Sequence, residues 1–97
     1  MAEQIRFEWN PEKAASNVQN HKVSFELAQL IFDDPLVYEF EEGTDHGEAR
    51  YRAVGEVGGR LLFVAYTSYQ EGDKEIVRII SARKATSRER RTYHRQA

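Results

Sequence analysis

A few polar side chains scattered along the chain, His21, Arg50, Arg78, Arg83, Glu89 and Tyr93, are of the types that together can act on a phosphodiester. In RNA the 2′-hydroxyl can attack its own phosphate if three needs are met. One group must accept the hydroxyl proton, another must protonate the departing 5′-oxygen, and a cation must offset the charge that builds on the phosphoryl oxygens. Arginine suits the last role because its planar fork matches phosphate and stays charged. His21 or Glu89 can serve as base, and His21 or Tyr93 as acid. Each also has a plain structural alternative. His21 falls at a helix end, where an imidazole can bond the last carbonyls. Glu89 is the return half of a capping box, Tyr93 can be the apolar anchor of a terminal helix, and Trp9 reads as core. Arg50 can pair with Glu48 or a cross-strand carboxylate, whereas Arg83 has no obvious acidic neighbour in sequence.

Other chemistries lack their residues. The chain has no cysteine, which removes disulfides, thiolate zinc sites and cysteine nucleophiles together. The histidines are far apart, Gly58-Gly59 lacks the lysine-serine tail of a phosphate loop, no calcium-loop array exists, and Ser81 has no glycine elbow. No metal and no cofactor is expected. No stretch approaches the roughly 20 apolar residues of a membrane span, and the start lacks a basic region followed by an apolar one. A cytoplasmic protein without membrane contact is expected.

The net charge of −2 would weigh against a nucleic-acid partner, but the charge is unevenly spread. From Ile76 onward seven basic residues (Arg78, Arg83, Lys84, Arg88, Arg90, Arg91, Arg95) face a single acid, Glu89, for a balance of +6 that leaves −8 on the first 75 residues. Such asymmetry suggests a basic working surface and an acidic remainder, with a solvated basic helix as the plain alternative.

Ninety-seven residues are one domain's worth of chain, taken as residues 1–97. Ile5, Phe7 and Trp9 alternate with Arg6 and Glu8 as in a half-buried strand, and Asn10-Pro11 opens a helix to about Asn20 whose buried stripe uses Ala14 and Val18. Ser24 caps a second helix carrying Phe25, Ala28 and Phe32 at helical spacing, with Leu27 and Ile31 beside them, and Asp33-Asp34-Pro35 stops it. Beyond it four strands follow. They are LVYEF, ending in the acidic turn EEGTDHGE, then Ala49 to Val57, Leu61 to Tyr66 at the sheet centre, and EIVRIISAR. Gly58-Gly59 is a hairpin turn. In the last strand Val77, Ile79 and Ser81 occupy one face and Ile76, Arg78, Ile80 and Ala82 the other. Thr86 and Glu89 form the capping box of a terminal helix to about Arg95, docked only by Tyr93 and Ala85. The expected fold is α+β: an antiparallel sheet of about five strands with two N-terminal helices packed on it and a C-terminal helix.

Two segments at opposite ends, FEWNPEKAASNVQNHKVSFELAQLIFDDP and IVRIISARKATSRERRTYH, resemble the BrnT family of type II toxin-antitoxin toxins, and HGEARYRAVGEVGGRLLFVAYT between them is similar to its central strands. The likeness spans about Phe7 to His94. It implies a RelE-like ribonuclease toxin that cleaves RNA without metal to arrest translation and growth. A DNA-binding BrnA-type antitoxin, which also reaches the operator, would neutralise it in a heterotetramer of two toxins and two antitoxins. It places family-pattern residues on Trp9, Lys13, His21, Phe25, Arg50, Gly55, Arg83, Glu89, Arg90 and Tyr93. The expected catalytic set is His21, Arg50 and Arg83 with Glu89 and Tyr93, and from the basic end of the chain the expected RNA-binding set is Arg78, Lys84, Arg90 and Arg91. Asn10 stands where the family usually has aspartate, Lys22 where glycine is common, and Ser68-Tyr69 where a polar pair such as Glu-Arg often closes the central strand. The rival reading is a non-enzymatic RNA-binding or operon-regulatory protein.

Overall fold

The computed structural model describes residues 4–45 and 47–96. Strand β1 (Gln4–Glu8) leads into helix α1 (Pro11–His21), a short helix α2 (Phe25–Ala28) and a 3-10 turn (Gln29–Asp33). Strands β2 (Tyr38–Asp45), β3 (Glu48–Val57), β4 (Arg60–Glu71) and β5 (Lys74–Lys84) follow, then helix α3 (Ser87–Arg95). Among the described residues no helix is long and apolar enough to cross a membrane.

The sheet order is β1-β5-β4-β3-β2, so β4 is central, as its two apolar faces require. The sheet is mixed rather than antiparallel. β2 to β5 form an antiparallel meander, but β1 lies parallel to β5, with Phe7 opposite Val77. The reason is the connection: between β1 and β2 the chain carries two helices, which pack across one face and deliver it to the far edge. On that face Phe25, Ala28 and Ile31 bury against Ala53, Leu62, Val64, Val77 and Ile79. Trp9 meets the Phe25 ring edge-on at 5.8 Å and packs, partly buried, against the core. Gly55 is required here because a Cβ would stand 2.7 Å from that of Ile31.

Helix α1 is turned differently from its apolar pattern. Asn17 is 6% exposed and Val18 44%. The cause lies in β5, whose outer edge is paired with β1 only as far as Arg78, because β1 stops at Glu8. Beyond it the Asn17 side-chain amide takes the place of a strand. Its Nδ2 donates to the Ala82 carbonyl and to that of Val23, both at 2.8 Å, and its Oδ1 accepts from Ala82 N–H at 3.1 Å. Satisfying three backbone groups outweighs burying one valine.

Other boundaries moved for equally local reasons. The second helix is α-helical for one turn only, capped by Ser24 Oγ at 3.0 Å from Leu27 N, before tightening into the 3-10 turn that meets β3. β2 starts at Tyr38, not Leu36, and continues through most of the expected acidic turn by means of an irregularity between Glu41 and Thr44, where Gly43 has φ 90°. His46, within that turn, lies outside the described residues. In β5 an irregularity opposite Ala65 and Tyr66 shifts the alternation, so Ile79 and Ala82 share the helix-covered face. Gly58 and Gly59, at φ 56° and 83°, make the expected two-residue turn.

Lys22 ends α1 in the left-handed conformation, φ 61°, with its N–H on the Val18 carbonyl, where glycine would be unstrained. Replacing it (Lys22→Gly) should raise stability by about 1 kcal/mol in urea denaturation. Asn17→Ala should lower it by roughly 2 to 4 kcal/mol, because it orphans backbone groups of Val23 and Ala82 in the core.

Candidate functional site

Two ends of the chain meet beside the Gly58-Gly59 turn. The last residues of α1, the start of β4, the end of β5 and one side of α3 enclose a cleft of about 520 Å³. Four cations line it, Lys22, Arg60, Lys84 and Arg90, with two imidazoles, His21 and His94, a single carboxylate, Glu56, and the ring of Tyr93. Arg90 and His94 continue into a shallow hollow on the outer side of α3 that adds Arg91 and Arg95. The result is one basic surface running from the cleft over the helix.

α3 is held in place by two fastenings. Tyr93, 4% exposed, packs with Val54, Leu61 and Ala85, and its hydroxyl donates to Asp34 Oδ2 at 2.6 Å. The same Oδ2 accepts Glu56 N–H at 2.8 Å and Oδ1 accepts Leu36 N–H at 2.9 Å. Burial works against the Asp34 charge, but Tyr93 and the two amides hold its carboxyl below the usual range. Burial and the bond to Asp34 push the Tyr93 hydroxyl up to about 12. That hydroxyl therefore keeps its proton near neutral pH.

The second fastening is an ion pair. Arg83 Nη1 and Nη2 donate to Glu89 Oε1 and Oε2, both at 2.9 Å, and the guanidinium sits 4.1 Å from the Phe63 ring centroid. Glu89 also closes the capping box, accepting Thr86 N–H at 2.9 Å while Glu89 N–H donates to Thr86 Oγ1 at 3.2 Å. Arg83 thus does have an acidic partner, six residues on in the next element. Burial raises the cost of the Glu89 charge, yet Arg83 and Thr86 hold the carboxyl below the ordinary glutamate value. Both its oxygens are engaged.

Of the residues singled out in the sequence, the cleft collects His21, Lys84, Arg90 and Tyr93. Arg50, Arg78, Arg83 and Glu89 lie outside it. Arg50 and Arg78 flank Thr67 from both sides, on β3 and β5. Arg78 is held by Glu8 (2.8 Å) and Glu48 (3.2 Å), so Glu48 serves Arg78 and not Arg50. Sequence reasoning passed over Lys22 and Arg60 and gave no role to His94. The last had a signal: Arg90, Tyr93 and His94 follow the i, i+3, i+4 spacing of one helical face. Among the described residues no group of three or more His, Asp or Glu is arranged to hold a metal ion.

A family model described as "Ribonuclease toxin, BrnT, of type II toxin-antitoxin system" matches residues 9–89. That stretch includes His21 and Lys84 and stops short of Arg90, Tyr93 and His94. No curated protein matches the chain.

The Glu89 pairing yields a prediction whose sign follows from its lowered pKa. The stability it supplies is present above the ordinary glutamate value of 4.5 and is lost as pH falls through the lower folded-state value. Wild type should exceed Glu89→Gln by on the order of 1 kcal/mol at pH 7, and the difference should shrink below about pH 4.5, as read by thermal melts across pH.

Proposed function

The chain belongs to the BrnT family of ribonuclease toxins of type II toxin-antitoxin systems, and from that premise we propose that it cleaves RNA in the His21–His94 cleft without a metal ion. The observation that carries the reading is the pairing of two imidazoles with four cations in one concave surface. Imidazole is the side chain best suited to both accept and donate a proton near neutral pH. One of the two takes the proton from the 2′-hydroxyl as its oxygen bonds to phosphorus. The other delivers a proton to the 5′-oxygen as the P–O5′ bond breaks, leaving a 2′,3′-cyclic phosphate and a free 5′-hydroxyl. Lys22, Arg60, Lys84 and Arg90 supply the positive charge that phosphoryl oxygens need as the transition state forms. Arg91 and Arg95 extend the path for the flanking backbone.

Glu89 and Tyr93 enter this reading as positioning residues. The engaged carboxylate of Glu89 is a weak base and the Tyr93 hydroxyl, committed to Asp34, a weak acid. Together with Arg83 they hold α3 so that Arg90 and His94 face His21. Arg50 and Arg78 act on the sheet face, outside the reacting centre. In the cell, RNA cleavage in the cytoplasm arrests translation and growth until a BrnA-type antitoxin covers the basic surface. That partner binds operator DNA and assembles with the toxin as a heterotetramer of two copies of each.

The test is cleavage of a short RNA by the purified chain in EDTA. Cyclic-phosphate products are expected at an undiminished rate, and His21→Ala and His94→Ala should each lower the rate about 100-fold or more. Arg83→Ala should relieve growth arrest by loosening α3. A wild-type chain that neither cleaves RNA nor stops growth when produced without its partner would contradict the proposal.

A further inference from the structure

The helices α1 and α2 cover only part of their sheet face. Past the 3-10 turn the uncovered part holds a hollow of about 360 Å³, lined chiefly by Ile5, Phe32, Glu39, Tyr51, Tyr66 and Glu75. Its walls are aromatic: Tyr51 stacks on Tyr66 at 5.3 Å, and Phe32 meets Tyr66 edge-on at 5.1 Å. Its charged groups are acceptors. Glu39 takes a hydrogen bond from Tyr66 Oη and Glu75 one from Ser68 Oγ, both at 2.7 Å, and among the described residues no lysine or arginine pairs with either carboxylate. The Tyr51 hydroxyl senses the crowding. Burial comes first in raising its pKa, and the charges of Glu41, Glu75 and Glu39 add to it.

We propose that this hollow receives an arginine or lysine side chain of the protein antitoxin, its cation against the half-buried Tyr51 ring, which Tyr66 backs from the core, and its N–H groups on Glu39 and Glu75. The carboxylates have spare acceptor lone pairs that only a donor can fill, and an accessible π-face with two carboxylates in the same hollow suits an alkyl-borne cation. RNA is excluded by the same charges, which repel phosphate. The occupant rests on the antitoxin part of the proposed function and is independent of the ribonuclease chemistry. The hollow and the catalytic cleft thus present opposite charges to one partner, which would need a basic anchor here and an acidic stretch over α3.

The test takes the full chain and N-acetyl-arginine amide as probe, with N-acetyl-citrulline amide as the uncharged control. Saturable amide shifts at Tyr51, Tyr66 and Glu75 are expected with a Kd in the millimolar range, about 1 mM to 10 mM for a single side chain. They should be absent with citrulline and at least tenfold weaker in Glu75→Gln and Glu39→Gln, the latter keeping an acceptor for Tyr66. No saturation, equal binding of citrulline, or shifts confined to α3 would overturn the site. In co-purification Glu75→Lys should retain the antitoxin at least tenfold less well than wild type, and undiminished retention would overturn the occupant. RNA cleavage by Glu75→Gln should equal wild type, so a failed binding test leaves the catalytic reading standing.

Discussion

The Asp34 carboxylate ties together three parts of the chain that sequence keeps apart. It receives Leu36 N–H from the entry to β2, Glu56 N–H from the end of β3, and the Tyr93 hydroxyl from α3, all within 2.9 Å. Without it the terminal helix would have only a small apolar contact, since α3 is strongly basic and buries little beyond Tyr93. With it, the helix is fixed against the end of the β3–β4 hairpin, so that Arg90 and His94 stand across a cleft from His21. A hydrogen bond to a charged acceptor is among the stronger ones, on the order of 2 kcal/mol, which is a large share of what anchors nine residues. The Arg83–Glu89 pair performs the complementary task at the other end of the helix.

Electrostatics divides the molecule along the same lines. Basic side chains gather where the two ends of the chain meet, while carboxylates gather at the opposite end of the sheet around Tyr51 and Tyr66. Several arginines are neutralised locally, Arg52 by Glu42, Arg78 by Glu8 and Glu48, Arg83 by Glu89. The cations of the cleft face one carboxylate, Glu56. The basic tail of the sequence therefore overstates the basic surface of the sheet and understates that of the cleft, which borrows Lys22 and Arg60 from the acidic part of the chain.

Elements dictated by local chemistry were legible in the sequence. Asn10-Pro11, Ser24 and Thr86 with Glu89 open helices where they should, Gly58-Gly59 turns, and the doubly apolar β4 lies at the centre. What was not legible depends on long-range partners. The parallel placement of β1 follows from where the helices deliver the chain. The burial of Asn17 follows from a β5 edge left unpaired by the length of β1. Asp34 read as a helix stop because its acceptors meet donors up to 59 residues away. The lining of the candidate cleft was legible in part by residue type, not by grouping. His21, Lys84, Arg90 and Tyr93 converge, whereas Arg83 and Glu89 satisfy each other outside the cleft.

The most direct measurement of where RNA sits uses a short oligonucleotide that cannot be cleaved, with 2′-O-methyl groups in place of 2′-hydroxyls, titrated into the isotope-labelled chain. Amide and imidazole resonances of His21, Lys22, Arg60, Lys84, Arg90 and His94 should shift together, with an affinity that falls as salt rises. Shifts centred on Arg50, Thr67 and Arg78, with the cleft unmoved, would contradict the account.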